Sequence, residues 1–182
     1  MNNLNKTLYA ARFAAEKHTG HFRKGSRREP YINHPIEVAN LIANVGLVED
    51  EDILAAALLH DTVEDCKVPP EEITEKFGET VCRYVLEVTD DKDLPKHVRK
   101  QKQIEHAPHL SYGAKIIKLA DKISNVRDVI ASPAEDWDKT RRVEYVIWAV
   151  NVVAGLRGAN DQLDELFDEV VAMAGEKLES ED

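Results

Sequence analysis

Nearly every long segment of this chain repeats its apolar residues at helical spacing, and no segment alternates convincingly as a strand. That property restricts the chain to helices packing on helices. Residues 4–18 place Leu4, Leu8, Ala11, Ala15 and His18 on one face. Asn33 precedes a turn in which Pro35 suits a first helical position, "IEVANLIANV" continues the helix, and Gly46 ends it. Residues 50–65 read as one helix. "VPPEEITEKFG" is a short helix with prolines at its start and Gly78 just past its end, and "ETVCRYVLEVTD" follows. The polar, basic "DKDLPKHVRKQKQIEHAPH" reads as a loop leading into an exposed helix, and residues 112–130, 135–157 and 160–178 complete the set. Pro and Gly fall between helices, with no repeat, low-complexity tract or dividing linker. The expectation is all-α: one domain over residues 1–182, a bundle of about eight or nine helices with its core at about 5–165 and a frayed acidic tail at about 176–182.

A chain of 182 residues can build a core without staples. Its net charge of −10 makes it a poor candidate for wrapping nucleic acid, although a local basic pocket can still hold a small anion. Cys66 and Cys82 sit in no CxxC spacing and read as reduced thiols. The N-terminus lacks the apolar region of a signal peptide, and no run approaches the roughly 18 apolar residues of a membrane span. The expected location is cytoplasmic, with no membrane or nucleic-acid partner.

The stretch "AAALLHDTVED", residues 55–65, runs small and apolar residues straight into His60 and Asp61, followed by Glu64 and Asp65. On one helix, His60 stacks with Glu64 and Asp61 with Asp65. His60 and Asp61 diverge by about 100° around the axis and converge only on something between them, as a cation would be. Solvated acids closing a helix are the plain alternative, but acids there oppose the helix dipole. His34 stands at the start of an apolar helix, locked by Pro35, where a cap or core role is the usual one. In "KIIKLADKISNVRDVI", Ile116, Leu119, Ala120, Ile123 and Val126 form a buried stripe. Asp121, Ser124, Asn125 and Asp128 border it. A carboxylate in that position needs a partner, either a cation site or a surface salt bridge to Lys118 or Lys122. Together His34, His60, Asp61 and Asp121 make a mixed imidazole–carboxylate set suited to Mn²⁺, Fe²⁺ or Zn²⁺. Such a metal acidifies a bound water and neutralises phosphate charge. Glu64 and Asp65, one turn beyond, are placed to move protons or orient that water.

The order His34, then His60-Asp61, then Asp121 resembles the HD-domain phosphohydrolases. "RKGSRREPYINHP", "AALLHDTVED", "EVTDDKDLPK", "GAKIIKLADKISNVRD" and "RRVEYVIWA" narrow the resemblance. Over roughly residues 5–165 the chain is similar to the small alarmone hydrolases of the RelA/SpoT-homologue family, of the metazoan SpoT-homologue type. The resemblance implies removal of the 3′-pyrophosphate from (p)ppGpp, giving GDP or GTP and pyrophosphate, with Mn²⁺ as the usual metal. It puts His34, His60, Asp61 and Asp121 on the ligand positions, Glu64 and Asp65 on the catalytic acids, and Asn125 at the nucleotide. It also puts Arg23 and Lys24 at the nucleotide pocket and favours Lys96 as a phosphate contact. The synthetase domain of bifunctional members has no room here, so synthesis is not expected. The loop with Gly25-Ser26 and Arg27-Arg28 departs from the family's pattern.

Beyond the resemblance, "PKHVRKQK" brings Lys96, Arg99, Lys100 and Lys102 to one segment, either a solvated helix face or a phosphate-facing rim. Arg141 and Tyr145, four apart on one helix face, suit a phosphate and a base or ribose. Trp148 reads as core. His18, His21, His97, His106 and His109 have no partner spacing and read as structural or exposed. Two rival functions remain open: a phosphatase on another phosphorylated nucleotide, such as the 2′-phosphate of NADPH, and a non-catalytic binding module with a degenerate site. Every expected ligand is present, which disfavours the second.

Overall fold

A computed structural model of the protein describes residues 3–181. Among these, ten α-helical segments and one 3₁₀ turn form, and the only β pairing is two isolated bridges, Phe22 with Pro30 and Gly25 with Ala134. The first four helices are α1 (Asn3–Lys17), α2 (Asn33–Asn44), α3 (Glu51–Leu59) and α4 (Thr62–Cys66). Then come α5 (Pro70–Phe77), α6 (Glu79–Val88), α7 (Lys96–His106), α8 (Tyr112–Ala131), α9 (Lys139–Ala154) and α10 (Asp161–Glu179). No helix of the described residues is long and apolar enough to cross a membrane.

Two helices organise the core. α8 packs against α2, α3, α6, α9 and α10, and α3 against α1, α2, α6 and α8. α3 can be central because it is thin: Ala55, Ala56 and Ala57 are fully buried, which lets its neighbours approach closely. Its start is fixed by Asp50, whose carboxylate accepts from the N–H groups of Asp52 and Ile53 at 2.9 and 3.3 Å. On α8 the stripe Ile116, Leu119, Ala120, Ile123 and Val126 is fully buried, as its spacing predicts.

Three expectations need correction. The buried face of α1 is Ala10, Phe13 and Ala14, while Leu8 is 59% exposed and Ala15 is exposed too. The side chain of Leu4 lies outside the described residues. An alanine-rich helix offers several equally apolar stripes, and Phe13 and Tyr9, both packed on the Phe77 ring, break the tie. The acidic tail, expected to be frayed, is packed as far as the described residues go: α10 runs to Glu179, Leu178 is buried, and Glu181 pairs with Arg142. Residues 50–65 are not one helix. The chain breaks at His60 and Asp61, and Asp61 takes φ −99° and ψ −3° at the head of α4. The Thr62 hydroxyl donates to Leu59 O at 2.7 Å and braces the break. Glu64 and Asp65 therefore sit in the first turn of a short helix, where acids suit the dipole.

Candidate metal centre and its cleft

His34 is the second residue of α2, and its N–H donates to Tyr31 O at 3.0 Å. The imidazole is buried, and its Nδ1 lies 3.0 Å from Ser124 Oγ. That hydroxyl donates its single proton to Glu37 Oε2 at 2.8 Å. The serine oxygen then only accepts, so Nδ1 of His34 carries the hydrogen and Nε2 presents a bare lone pair. His60 reaches the same state differently, with Nδ1 2.7 Å from the carbonyl of Ala57. Its Nε2 is buried, with no well-aligned hydrogen bond among the described residues and Asp61 Oδ2 as the near carboxylate oxygen.

Two carboxylates close on these lone pairs. Asp121 Oδ1 lies 3.2 Å from His34 Nε2 and 3.9 Å from His60 Nε2. Asp61 Oδ2 lies 2.9 Å from His60 Nε2 and 3.8 Å from His34 Nε2. His34, His60 and Asp121 each offer one atom within 4.8 Å of the others, close enough to share one ion. Both imidazoles are oriented through Nδ1, as metal-ligating histidines are, and Nε2 of His60 faces the two carboxylates. The donor set fits a first-row divalent ion. Burial opposes charge on His60, but Asp61 and Asp121 overcome it and push the imidazole up to about 9 when no cation is present. The position favours positive charge.

Each carboxylate is also held from behind. Asp121 accepts from buried Lys122 at 2.9 Å and from the Asn125 amide, and burial of its charge is outweighed by Lys122, so its carboxyl stays well below the usual range. Lys122 and Lys118 are both buried, so the pair to Asp121 is an interior one. Lys118 donates to Val88 O at 3.0 Å. Asp61 accepts from the Tyr31 hydroxyl at 2.6 Å.

Glu64 lines the cavity beside this cluster and accepts the Asp90 N–H at 3.1 Å. Burial raises its carboxyl above the ordinary value, with Asp90 and Asp61 adding repulsion. Asp65 is engaged by Lys92, which also stands 3.7 Å from Glu64.

The cluster opens onto a cleft of about 540 Å³. Asp61, Glu64 and Asn125 belong to both spaces. Arg23, Lys24 and Lys96 line the cleft, joined by Arg99 and Lys100 from α7, while Lys102 does not. Its far wall is aromatic: Trp137, Tyr145 and Trp148. Trp148 is thus a wall residue, its Nε1 donating to Lys100 O at 3.1 Å, and not purely core. Arg141 is not on the wall. Its guanidinium bonds Asp136 at 3.0 Å and covers the Trp137 ring at 4.7 Å. Arg23 bonds Asp128 through Nε at 2.8 Å and Asn125 Oδ1 at 2.9 Å, pinning the basic loop to α8. The same loop crosses Ser132 so closely that a Cβ on Gly25 would meet the Ser132 carbonyl at 2.2 Å. Only glycine fits, which accounts for that residue in the loop.

Spacing did not reveal Tyr31, Glu37, Lys92 or Trp137. Their roles depend on contacts between distant segments. Tyr31, three residues before His34, carried the only local hint.

The HD-domain family profile matches residues 10–154. The chain is 47% identical to the guanosine-3′,5′-bis(diphosphate) 3′-pyrophosphohydrolase MESH1 of Danio rerio, over 94% of this chain and 95% of that one. It is 49% identical to the protein of the same name from Homo sapiens, over 92% and 94%. Among solved structures it resembles one described as a metazoan ortholog of SpoT that hydrolyzes ppGpp and plays a role in starvation responses. The TM-score is 0.90 at 43% identity, covering 93% of this chain and 96% of that one. Helical architecture, the ordered His–His-Asp–Asp positions and near full-length similarity agree: the chain belongs to the HD-domain family, in its metazoan SpoT-homologue branch.

Proposed function

We propose that the chain hydrolyses the 3′-pyrophosphate of (p)ppGpp, leaving GDP or GTP and releasing pyrophosphate, in a metal-dependent reaction. The observation that carries this is the junction of two unlike spaces: an acidic, imidazole-bearing cluster that opens into a basic and aromatic cleft. A phosphorylated nucleotide needs both kinds of surface at once. The names of the Danio rerio and Homo sapiens relatives support the same substrate.

His34, His60, Asp61 and Asp121 are the proposed ligands, with Mn²⁺ as the metal. A bound divalent ion supplies Lewis acidity and an acidified water. Glu64 is the proton acceptor, its basicity raised by burial. Asp65, held by Lys92, orients that end of the site. Lys24 and Lys96, with Arg99 and Lys100, neutralise the phosphates, and Tyr145 offers a ring face to the base or ribose. Asn125 and Arg23 bridge Asp121 to the basic loop and fix the distance between ligand and phosphate subsites. Residues 1–182 act as one domain, and two free thiols support a reducing, cytoplasmic location.

A product assay tests the reading. The protein with Mn²⁺ and ppGpp should release pyrophosphate and GDP. Release of orthophosphate alone, or preference for NADPH over ppGpp in parallel kinetics, would overturn the substrate assignment.

A further inference from the structure

Three residues with no sequence relation meet beside the catalytic cleft. His18 follows α1, His21 opens the basic loop, and Cys66 closes α4. His18 Nδ1 is 3.4 Å from His21 Nδ1 and 3.3 Å from Cys66 Sγ, and Cys66 Sγ is 4.0 Å from His21 Nδ1. We propose that His18, His21 and Cys66 form a second metal site, selective for a thiophilic divalent ion of the zinc type and separate from the His34–His60–Asp61–Asp121 centre.

The separations match one ion at their centre. Zinc–nitrogen bonds of about 2.05 Å and zinc–sulfur bonds of about 2.3 Å at tetrahedral angles put two nitrogens about 3.3 Å apart and nitrogen and sulfur about 3.6 Å apart. The three observed distances fall around these values. Cys66 Sγ also lies 3.8 Å from His18 Nε2, so ligation turns the His18 ring about its Cβ–Cγ bond to aim one nitrogen. The other two side chains already converge.

The setting favours a cation. Burial lowers the affinity of His18 for a proton and keeps it a neutral ligand. Burial, then Asp65 and Asp61, push the Cys66 thiol up to about 11, so without an ion it remains protonated. The same carboxylates that disfavour the thiolate attract a divalent ion. Binding therefore forms one metal–sulfur and two metal–nitrogen bonds and releases the Cys66 proton to solvent. His21 is exposed, which leaves the fourth position to water and gives the ion a route in. The thiolate separates this site from the first, whose donors are nitrogen and oxygen only.

An ion here would clasp the end of α1 and the start of the basic loop to α4, the helix that carries Glu64 and Asp65. Tyr31 lies between the two sites: its ring stacks on His18 at 4.8 Å, so a turn of that ring is felt at Tyr31, whose hydroxyl donates to Asp61.

Co²⁺ added to the metal-stripped full-length chain is the probe. The expected result is a thiolate-to-cobalt charge-transfer band in the near ultraviolet and two Co²⁺ bound per chain. Cys66→Ser should remove the band and one equivalent of metal, whereas Cys82→Ser should keep both. Because His21 is exposed, His21→Ala tests the site without disturbing the core, and it should weaken the band-forming site by at least an order of magnitude. Absence of the band from the wild type, its persistence in Cys66→Ser, or unchanged affinity in His21→Ala would overturn the proposal.

Discussion

Ser124 Oγ stands between His34 Nδ1, 3.0 Å away, and Glu37 Oε2, 2.8 Å away, and so sets which nitrogen of His34 is bare. This three-residue relay touches no metal-facing atom, yet it selects the tautomer that can bind one.

Ser124→Ala should therefore weaken metal binding without removing a ligand. Loss of such an orienting partner costs roughly 10–100-fold in metal affinity. Calorimetric titration of the apo-protein with Mn²⁺ measures it directly. Turnover should recover substantially at saturating Mn²⁺, and a turnover defect that no metal concentration repairs would refute the relay.

Chelation should abolish hydrolysis, and Mn²⁺ should restore it best among first-row ions. Asp121→Asn should raise the Mn²⁺ concentration needed, because it removes a ligand charge while Lys122 remains buried beside it with a weaker partner. Full activity in protein shown by elemental analysis to be metal-free would remove the centre from the reaction.

Glu64→Gln separates catalyst from ligand. It should retain Mn²⁺ and lose roughly 10²–10⁴-fold in kcat, the usual worth of general acid–base help. If the variant lost metal as readily as Asp121→Asn, Glu64 would have to be reassigned as a ligand.

The pH dependence follows from the same residue. Burial raises the carboxyl of Glu64, and a base acts only when ionised. Activity should therefore be present at higher pH and be lost as pH falls through this raised value. The acid limb of kcat at saturating metal should lie above the ordinary carboxylate range, near 4.3 for free glutamate. That limb should be absent from the residual rate of Glu64→Gln; an identical limb in the variant assigns it to another group.

The helices were legible because a 3.6-residue period survives in almost every segment, and Pro70 and Gly78 mark the ends of α5. Of the four proposed ligands, His60 and Asp61 stood out by their place at the end of an apolar run. His34 at the start of α2 and Asp121 in the middle of α8 have ordinary structural alternatives and were named through the ordered family pattern. The register of α1 was not, because Ala10, Ala11, Ala14 and Ala15 are interchangeable in a pattern of apolar spacing. The break at His60-Asp61 was hidden because Thr62, which braces it, is compatible with a helix interior. Neither the Tyr31–Asp61 hydrogen bond nor the meeting of His18 and His21 with Cys66 could be read at all. Each joins segments thirty or more residues apart, and nothing in local spacing encodes which distant helix will arrive.

The cleft's aromatic wall gives the last prediction. Tyr145 and Arg141 share a face of α9 by spacing, but only Tyr145 lines the cleft. The Arg141 guanidinium is occupied by Asp136 and the ring of Trp137. Lys100, by contrast, lines the cleft with its ammonium 4.8 Å from the Trp148 ring centre and 5.7 Å from that of Tyr145. A nucleotide entering this space meets the Tyr145 ring and the Lys100 charge together. Tyr145→Ala should raise KM for ppGpp by several-fold to about 100-fold, the range of roughly 1–3 kcal/mol for lost contacts. Lys100→Ala should raise KM in the same sense, and more at low ionic strength, because its part is electrostatic. Arg141→Ala should change KM less than either, its effect passing through the position of Trp137. Mn²⁺ content should be equal in all three. Steady-state kinetics on ppGpp decide the order, and a larger KM defect in Arg141→Ala than in Tyr145→Ala would mean that Arg141 leaves Asp136 to reach the substrate.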